Sequence, residues 1–308
     1  MAGRRRTRRI LAAAAVGLLA LLAGVLYLRA DKRQVFFEVA GEYAAARPLE
    51  TIRAGGQPAR LVELVNHRGE AVVTAWVRRP ERLAPAYRTL LVYAGRETGR
   101  KLLDLVPARD DLVLVGVQYP FAAPRTAGEW LRGPRELRRA AFRTVAGGLL
   151  AVSFLERDER LDSARLVVLG SSLGSSFAVI HAALDPRVPR LVVLDGGGDL
   201  PLILRFREAA LGHPWRGRLF ATAAELLVAS FEPLRYVADV APRETIVIGA
   251  RSDRVFPAAS TVALYERARQ PKQLRWMEGR HVSGRLGADL DEVLAELDRA
   301  LGPARPAD

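Results

Sequence analysis

A chain of 308 residues, 50% hydrophobic and 26% charged, can bury one large core and is too apolar to be a disordered or collagen-like protein. Residues 1–33 carry +7 of the formal net charge of +13, and the only lysines are Lys32, Lys101 and Lys272; a targeting signal plus scattered arginine is not the aromatic-lined basic groove of a nucleic-acid binder, so no nucleic-acid partner is expected. The absence of cysteine excludes a disulfide scaffold, a thiol nucleophile and a thiolate metal site.

Arg4, Arg5, Arg6, Arg8 and Arg9 form a basic segment (residues 1–9) ahead of an uncharged run, Ile10 to Leu28, dominated by Ala and Leu. Nineteen such residues at about 1.5 Å rise cross most of a hydrocarbon core of roughly 30 Å. The expectation is a single-pass signal anchor over residues 10–28, with the arginines in the cytoplasm and the rest of the chain on the periplasmic or extracellular face. A cleaved signal peptide is the alternative, although the apolar run is long for one and Leu26-Tyr27-Leu28-Arg29 is not a small-x-small cleavage site. A twin-arginine signal built on Arg8 and Arg9 is a third possibility that the following residues fit poorly.

Residues 29–58, mixed and rich in Ala, Gly and Pro in their second half, read as a linker that lifts a domain (residues 59–304) off the membrane. Leu61 to Val65 and Ala71 to Val77, flanking Asn66-His67-Arg68-Gly69, predict a β-hairpin. Five compact aliphatic runs follow: Thr89 to Tyr93, Leu112 to Val117, Leu166 to Leu169, Leu191 to Leu194 and Thr245 to Ile248. They lack alternation, which predicts strands buried on both faces. Helical segments are expected at Gly99 to Pro107, at Pro134 to Arg157 with Pro134 at the start, and at Ser175 to Leu184. A last strand (Gln273 to Met277) and a last helix (Leu290 to Leu301) complete a doubly wound, mostly parallel α/β sheet. Residues 196–243 are too long for one crossover and read as a helical lid insertion, in which Phe206, Trp215, Phe220 and Phe231 could line a pocket or fill core.

Strand Arg165 to Gly170 runs into Ser171-Ser172-Leu173-Gly174 and then a helix, giving Gly170-x-Ser172-x-Gly174. Chance produces such a motif in about one chain in ten of this length, so its position at a strand-to-helix junction gives it meaning. A nucleophilic serine on that tight turn needs small flanking residues, and the Leu173 N–H at the helix start faces an oxyanion formed by serine attack.

Serine needs a base to take its proton. His67 lies in the hairpin turn, His181 in the helix after Ser172 and His213 in the insertion; each reads as structural or solvent-facing. His281 follows the last strand, at the sheet edge where ligands gather in an open α/β fold. The orienting acid is Asp253, after the strand Thr245 to Ile248, or its rival Asp195, after Leu191 to Leu194; Asp253 keeps the chain order Ser, Asp, His.

These residues resemble the α/β-hydrolase superfamily over about Leu61 to Leu301. Asp253 with Pro257, Pro271-Lys272-Gln273-Leu274 leading to His281, and Glu232-Pro233-Leu234-Arg235-Tyr236 are similar to dienelactone-hydrolase-like and prolyl-oligopeptidase-like members. The resemblance implies an acyl-enzyme serine hydrolase with Ser172, His281 and Asp253 as nucleophile, base and orienter, acting on a small acyl ester or thioester and requiring no cofactor or metal. By the same resemblance the second oxyanion donor is the Arg96 N–H, after Tyr93-Ala94-Gly95, where Ala94 stands in place of the usual histidine. A prolyl-oligopeptidase-type peptidase and a non-catalytic hydrolase-like binding module are the alternatives.

Overall fold

The computed structural model describes residues 2–81, 87–95, 99–121, 127–210, 226–281 and 289–302. In chain order the elements are α1 (Ala2–Arg29), α2 (Arg33–Ala40), β1 (Tyr43–Ala54), β2 (Gln57–Asn66), β3 (Ala71–Arg78), β4 (Tyr87–Tyr93), α3 (Arg100–Leu105), β5 (Leu112–Gln118), α4 (Ala127–Leu155), β6 (Leu161–Ser171), α5 (Gly174–Leu184), β7 (Arg190–Leu194), α6 (Leu200–Ala210), β8 (Glu244–Ala250), α7 (Ala258–Arg267), β9 (Lys272–Met277) and α8 (Asp289–Leu301). Three short 3-10 turns, Ala229–Phe231, Pro233–Arg235 and Val237–Val240, lie between α6 and β8.

The strands form one sheet in the order β1-β2-β3-β5-β4-β6-β7-β8-β9. Pairing is antiparallel from β1 through β3 to β5 and parallel from there to β9. Aliphatic side chains of alternate parity leave the parallel strands on opposite faces. Leu91, Val115, Val168, Val193 and Val247 pack beneath α2, α4 and α5, while Leu90, Val92, Leu114, Leu169, Val192 and Ile248 pack against α3 and α8. Both faces are therefore dry, which is why these runs do not alternate with polar residues.

β4 is the first parallel strand in the chain. From it the chain moves to β5 on one side and then, through the long crossover α4, to β6 on the other. The resulting switch point opens a crevice at the carboxyl ends of β4 and β6, which is where such sheets bind ligands. Helix α4 starts at Ala127, so Pro134 lies inside it rather than at its first turn. The missing N–H of Pro134 leaves a carbonyl one turn earlier without its helical partner.

Residues 29–58 are not a linker. Phe36 of α2 is fully buried against Phe142, Phe231 and Tyr236, with ring centroids 4.8, 6.1 and 6.4 Å away. β1 pairs with β2 along its whole length, closing through Gly55 and Gly56, both at positive φ. A two-residue turn of that conformation matches the twist of a hairpin, and glycine adopts it without steric cost. The domain thus begins near Arg33, and α1 emerges directly from its surface.

Helix α1 covers the whole apolar run in one piece. Val16, Leu18, Leu19, Leu22, Leu26 and Tyr27 are more than half exposed on it. Among the residues whose side chains are described, which in α1 begin at Ala14, no single helix is long and apolar enough to cross a membrane, although Ala14–Arg29 and Arg33–Ala40 are so as a pair bent by 68°.

Candidate active site

Ser172 opens the turn between β6 and α5 with φ +54°, a left-handed conformation that costs a non-glycine residue on the order of 1–2 kcal/mol. Its neighbours show what holds it there. A Cβ on Gly170 would stand 2.5 Å from the Ala178 Cβ and 2.7 Å from the Gly174 carbonyl oxygen. A Cβ on Gly174 would stand 1.9 Å from the Tyr93 carbonyl oxygen. The ends of β4, β6 and α5 therefore meet at distances that only glycine allows at these two positions. The Ser172 N–H donates to the Leu194 carbonyl at 3.1 Å, and its carbonyl accepts from the Ser175 N–H and Oγ at 3.0 and 2.7 Å.

His281, just past β9, reaches back to this serine. Its Nε2 lies 2.9 Å from Ser172 Oγ and its Nδ1 lies 2.7 Å from Asp253 Oδ2. A carboxylate can only accept, so Nδ1 carries the proton and Nε2 is left to accept from the serine hydroxyl. Asp253 is almost fully buried, and its second oxygen accepts from the backbone N–H groups of Val255 and Phe256 at 2.6 and 2.9 Å. The carboxylate is thereby fixed in the loop between β8 and α7. Phe256 also lies against the imidazole face, with ring centroids 5.7 Å apart and planes 5° from parallel.

Asp195, the alternative acid, is buried at the end of β7 with φ +46°. It offers a carboxylate oxygen within 4.8 Å of ligand atoms of Asp253 and His281, but Asp253 makes the hydrogen bond to His281 Nδ1. A cation held by these three residues would have to displace that hydrogen bond or take the Nε2 that faces Ser172.

The other histidines have structural partners or lie elsewhere. His67 Nδ1 accepts from the Glu42 N–H at 3.0 Å and ties β1 to the hairpin turn. His181 is fully buried in α5 with Nδ1 3.0 Å from the Tyr93 hydroxyl and Nε2 3.7 Å from Asp185. Burial pushes the Tyr93 hydroxyl well above the usual phenol range. Burial alone would raise the Asp185 carboxyl, but the hydrogen bonds and charge of Arg187 hold it well below the usual carboxylate range. His213 lies outside the described residues.

Leu173 caps α5 and is partly exposed beside Ser172. The first N–H groups of a helix have no partner within it, so this one is suited to receive an oxyanion. Arg96, the expected second donor, lies outside the described residues. The backbone leading to it is placed: a Cβ on Gly95 would be 3.9 Å from Ser172 Oγ, and the Tyr119 hydroxyl donates to the Ala94 carbonyl. Tyr119 is itself buried, which pushes its hydroxyl upward.

A cavity of about 780 Å³ opens at Ser172 and His281. It runs under α4 and α6 on one side and toward α3 and α8 on the other, and most of its lining side chains are aliphatic or aromatic, with Lys101, Arg138, Arg207 and Glu296 as the charged ones. Of the aromatics in the 196–243 insertion, Phe231 lines it and also packs into the core; Phe206 is half-buried on α6, and Trp215 and Phe220 lie outside the described residues. Glu232 pins the base of the insertion, accepting from the N–H groups of Asp199, Leu200 and Leu234 at 2.9, 2.7 and 3.1 Å. Burial nevertheless raises its carboxyl above the usual range.

No protein-family model and no curated protein sequence matches the chain. Among solved structures, acetyl xylan esterase 1 from Thermoanaerobacterium sp. JW/SL YS485 is similar at 13% identity and a TM-score of 0.57, covering 85% of this chain and 92% of that one. The alpha/beta hydrolase GrgF from Penicillium sp. sh18 is 14% identical with a TM-score of 0.52, covering 79% and 99%. A cold-adapted esterase from an Arctic intertidal metagenomic library is 15% identical with a TM-score of 0.54, covering 82% and 98%. At these identities the likeness establishes architecture, and the chain has the α/β-hydrolase fold.

Proposed function

We propose that the protein is a membrane-anchored serine hydrolase that cleaves carboxylic esters or thioesters through an acyl-enzyme on Ser172. The observation that carries this reading is the hydrogen-bonded chain from Ser172 Oγ to His281 Nε2 (2.9 Å) and from His281 Nδ1 to Asp253 Oδ2 (2.7 Å). Solved structures of similar fold that are named as esterases support it.

In this reading His281 Nε2 takes the hydroxyl proton as Oγ bonds to the substrate carbonyl carbon, and the carbonyl oxygen becomes an oxyanion. The N–H groups of Leu173 and Arg96 stabilise that charge, and each such donor contributes about 3–4 kcal/mol to the transition state. The imidazolium then protonates the departing alkoxide or thiolate as its bond to carbon breaks. Water, deprotonated by the same nitrogen, attacks the acyl carbon; the bond from that carbon to Oγ breaks and the imidazolium returns its proton to Oγ, releasing the acid and Ser172. Asp253 keeps the imidazole in the required tautomer and balances its transient charge.

Helix α1 is the proposed anchor, supported by its arginine-flanked apolar run and exposed apolar side chains. The site then faces the periplasm or the exterior. Mass spectrometry of the mature N-terminus checks this: an intact start before residue 10 is expected, and a start near residue 30 would replace the anchor with a signal peptide. For the chemistry, the full chain in detergent should hydrolyse p-nitrophenyl acetate and Ser172→Ala should not. Undiminished hydrolysis by that variant would refute the assignment.

A further inference from the structure

Of the six exposed large apolar side chains among the described residues of the domain, four, Phe121, Leu137, Leu173 and Leu227, line the cavity that opens at Ser172, while Phe37 and Leu49 lie elsewhere. Scattered apolar residues on a surface carry no message, but a group around one opening marks a place that an apolar partner covers. Of the four charged side chains in the lining, Lys101 and Arg207 lie exposed at its rim, and the two deeper ones are engaged within the wall. Arg138 donates to the Leu227 carbonyl and Ser230 Oγ, each at 3.0 Å, and Glu296 pairs with Arg275 and Arg299. A sugar or peptide bound here would leave its polar groups facing hydrocarbon, which costs about 1–3 kcal/mol for each one unsatisfied. An alkyl chain carries no such penalty.

The same wall is joined to α1. Arg235 donates to the Arg29 carbonyl at the end of α1 (2.9 Å) and to the Ala229 carbonyl (2.8 Å), next to Leu227 in the cavity wall. Helix α1 packs against the turn Ala229–Phe231, and Arg33 pairs with Asp239 at 2.6 Å. The exposed apolar face of α1 therefore leads to the edge of the cavity flanked by Leu137 and Leu227, with no linker between them.

We infer that the cavity takes the long acyl chain of an ester dissolved in the same bilayer that holds α1, admitted past Leu137 and Leu227. This rests on the serine-esterase and membrane-anchor readings above and adds the substrate class and its route of entry.

The test uses the full chain reconstituted in phosphatidylcholine vesicles with p-nitrophenyl esters of increasing chain length. From acetyl to octanoyl, kcat/KM should rise by about fourfold for each methylene that enters the cavity. A palmitoyl ester placed in the protein's own vesicles should be cleaved at least tenfold faster than the same ester supplied in separate protein-free vesicles. Leu137→Glu, at a half-exposed position where folding tolerates a charge, should lower the octanoyl-to-acetyl preference at least tenfold; Leu49→Glu, on the exposed face of β1, should leave that preference unchanged. Cleavage of acetate with a flat or falling chain-length profile, or equal rates from the two vesicle arrangements, would overturn this inference and leave the esterase reading intact. Failure to cleave any ester, with no labelling of Ser172 by a fluorophosphonate, would overturn both.

Discussion

Phe256 lies flat on the imidazole of His281, 5.7 Å between centroids and 5° from parallel, and its own N–H donates to Asp253 at 2.9 Å. One residue thus holds both the Asp253 carboxylate and the plane of the His281 imidazole. Removing the ring leaves the hydrogen bond to the acid intact but frees the imidazole to turn. Phe256→Ala should lower kcat about tenfold to a hundredfold, since misplacement of about 1 Å can cost that much, and Phe256→Tyr should restore most of it. Steady-state kinetics on a short ester would show this, and a kcat unchanged in Phe256→Ala would mean that the ring only fills space.

Asp253 and Asp195 both lie near His281, and hydrogen bonding separates them. Asp253→Asn keeps the shape but offers an N–H or a weak acceptor to Nδ1, favouring the wrong tautomer; kcat should fall by about 10⁴-fold. Asp195→Asn should cost less than tenfold. The reverse order would assign the orienting role to Asp195.

Much of this was legible in the residues. The five aliphatic runs became β4 to β8 because strands dry on both faces need no polar alternation, and Ser172, Asp253 and His281 meet because each sits at the carboxyl end of a strand in one sheet. The N-terminal part of the domain was not legible in the same way. β1 is an edge strand with mostly exposed side chains, so it lacks the apolar pattern that announces a strand, and its hairpin signal was the pair Gly55-Gly56. Phe36 sits in a short apolar helix whose aromatic partners lie more than a hundred residues away. The stacking of Phe256 depends on side-chain placement, and the pinning of the insertion by Glu232 on backbone N–H directions, neither of which spacing reveals.

Gly174 is the tightest point of the elbow. Gly174→Ala would drive a methyl group into the Tyr93 carbonyl, 1.9 Å from its oxygen, where neither β4 nor α5 can give way without moving the sheet. A loss of about 3 kcal/mol or more in stability is expected, at the upper end of overpacking effects. Thermal unfolding measures it; a melting temperature equal to that of the unaltered chain would show the elbow to be looser than described.

The buried Asp185 carboxylate, bonded by Arg187 at 2.7 and 2.8 Å, gives a pH dependence with a definite sign. Its folded pKa lies below the value of about 3.9 of an unfolded aspartate. As the pH falls the unfolded chain therefore binds the proton first. The stabilisation is present above about pH 4 and is lost as the pH falls through the folded value. Arg187→Ala should cost about 2–4 kcal/mol at pH 7, because it leaves a buried charge without its main partner, and the difference from the unaltered chain should shrink toward pH 3. Denaturant titrations across that range test it, and a pH-independent difference would contradict it.

The central claim is that Ser172 is the nucleophile. Its most direct measurement is the reaction of the full chain with a fluorophosphonate, followed by peptide mapping of the adduct. One adduct on Ser172, absent from Ser172→Ala and strongly slowed in His281→Ala, is the predicted result. An adduct on another serine, or labelling that persists in Ser172→Ala, would contradict it.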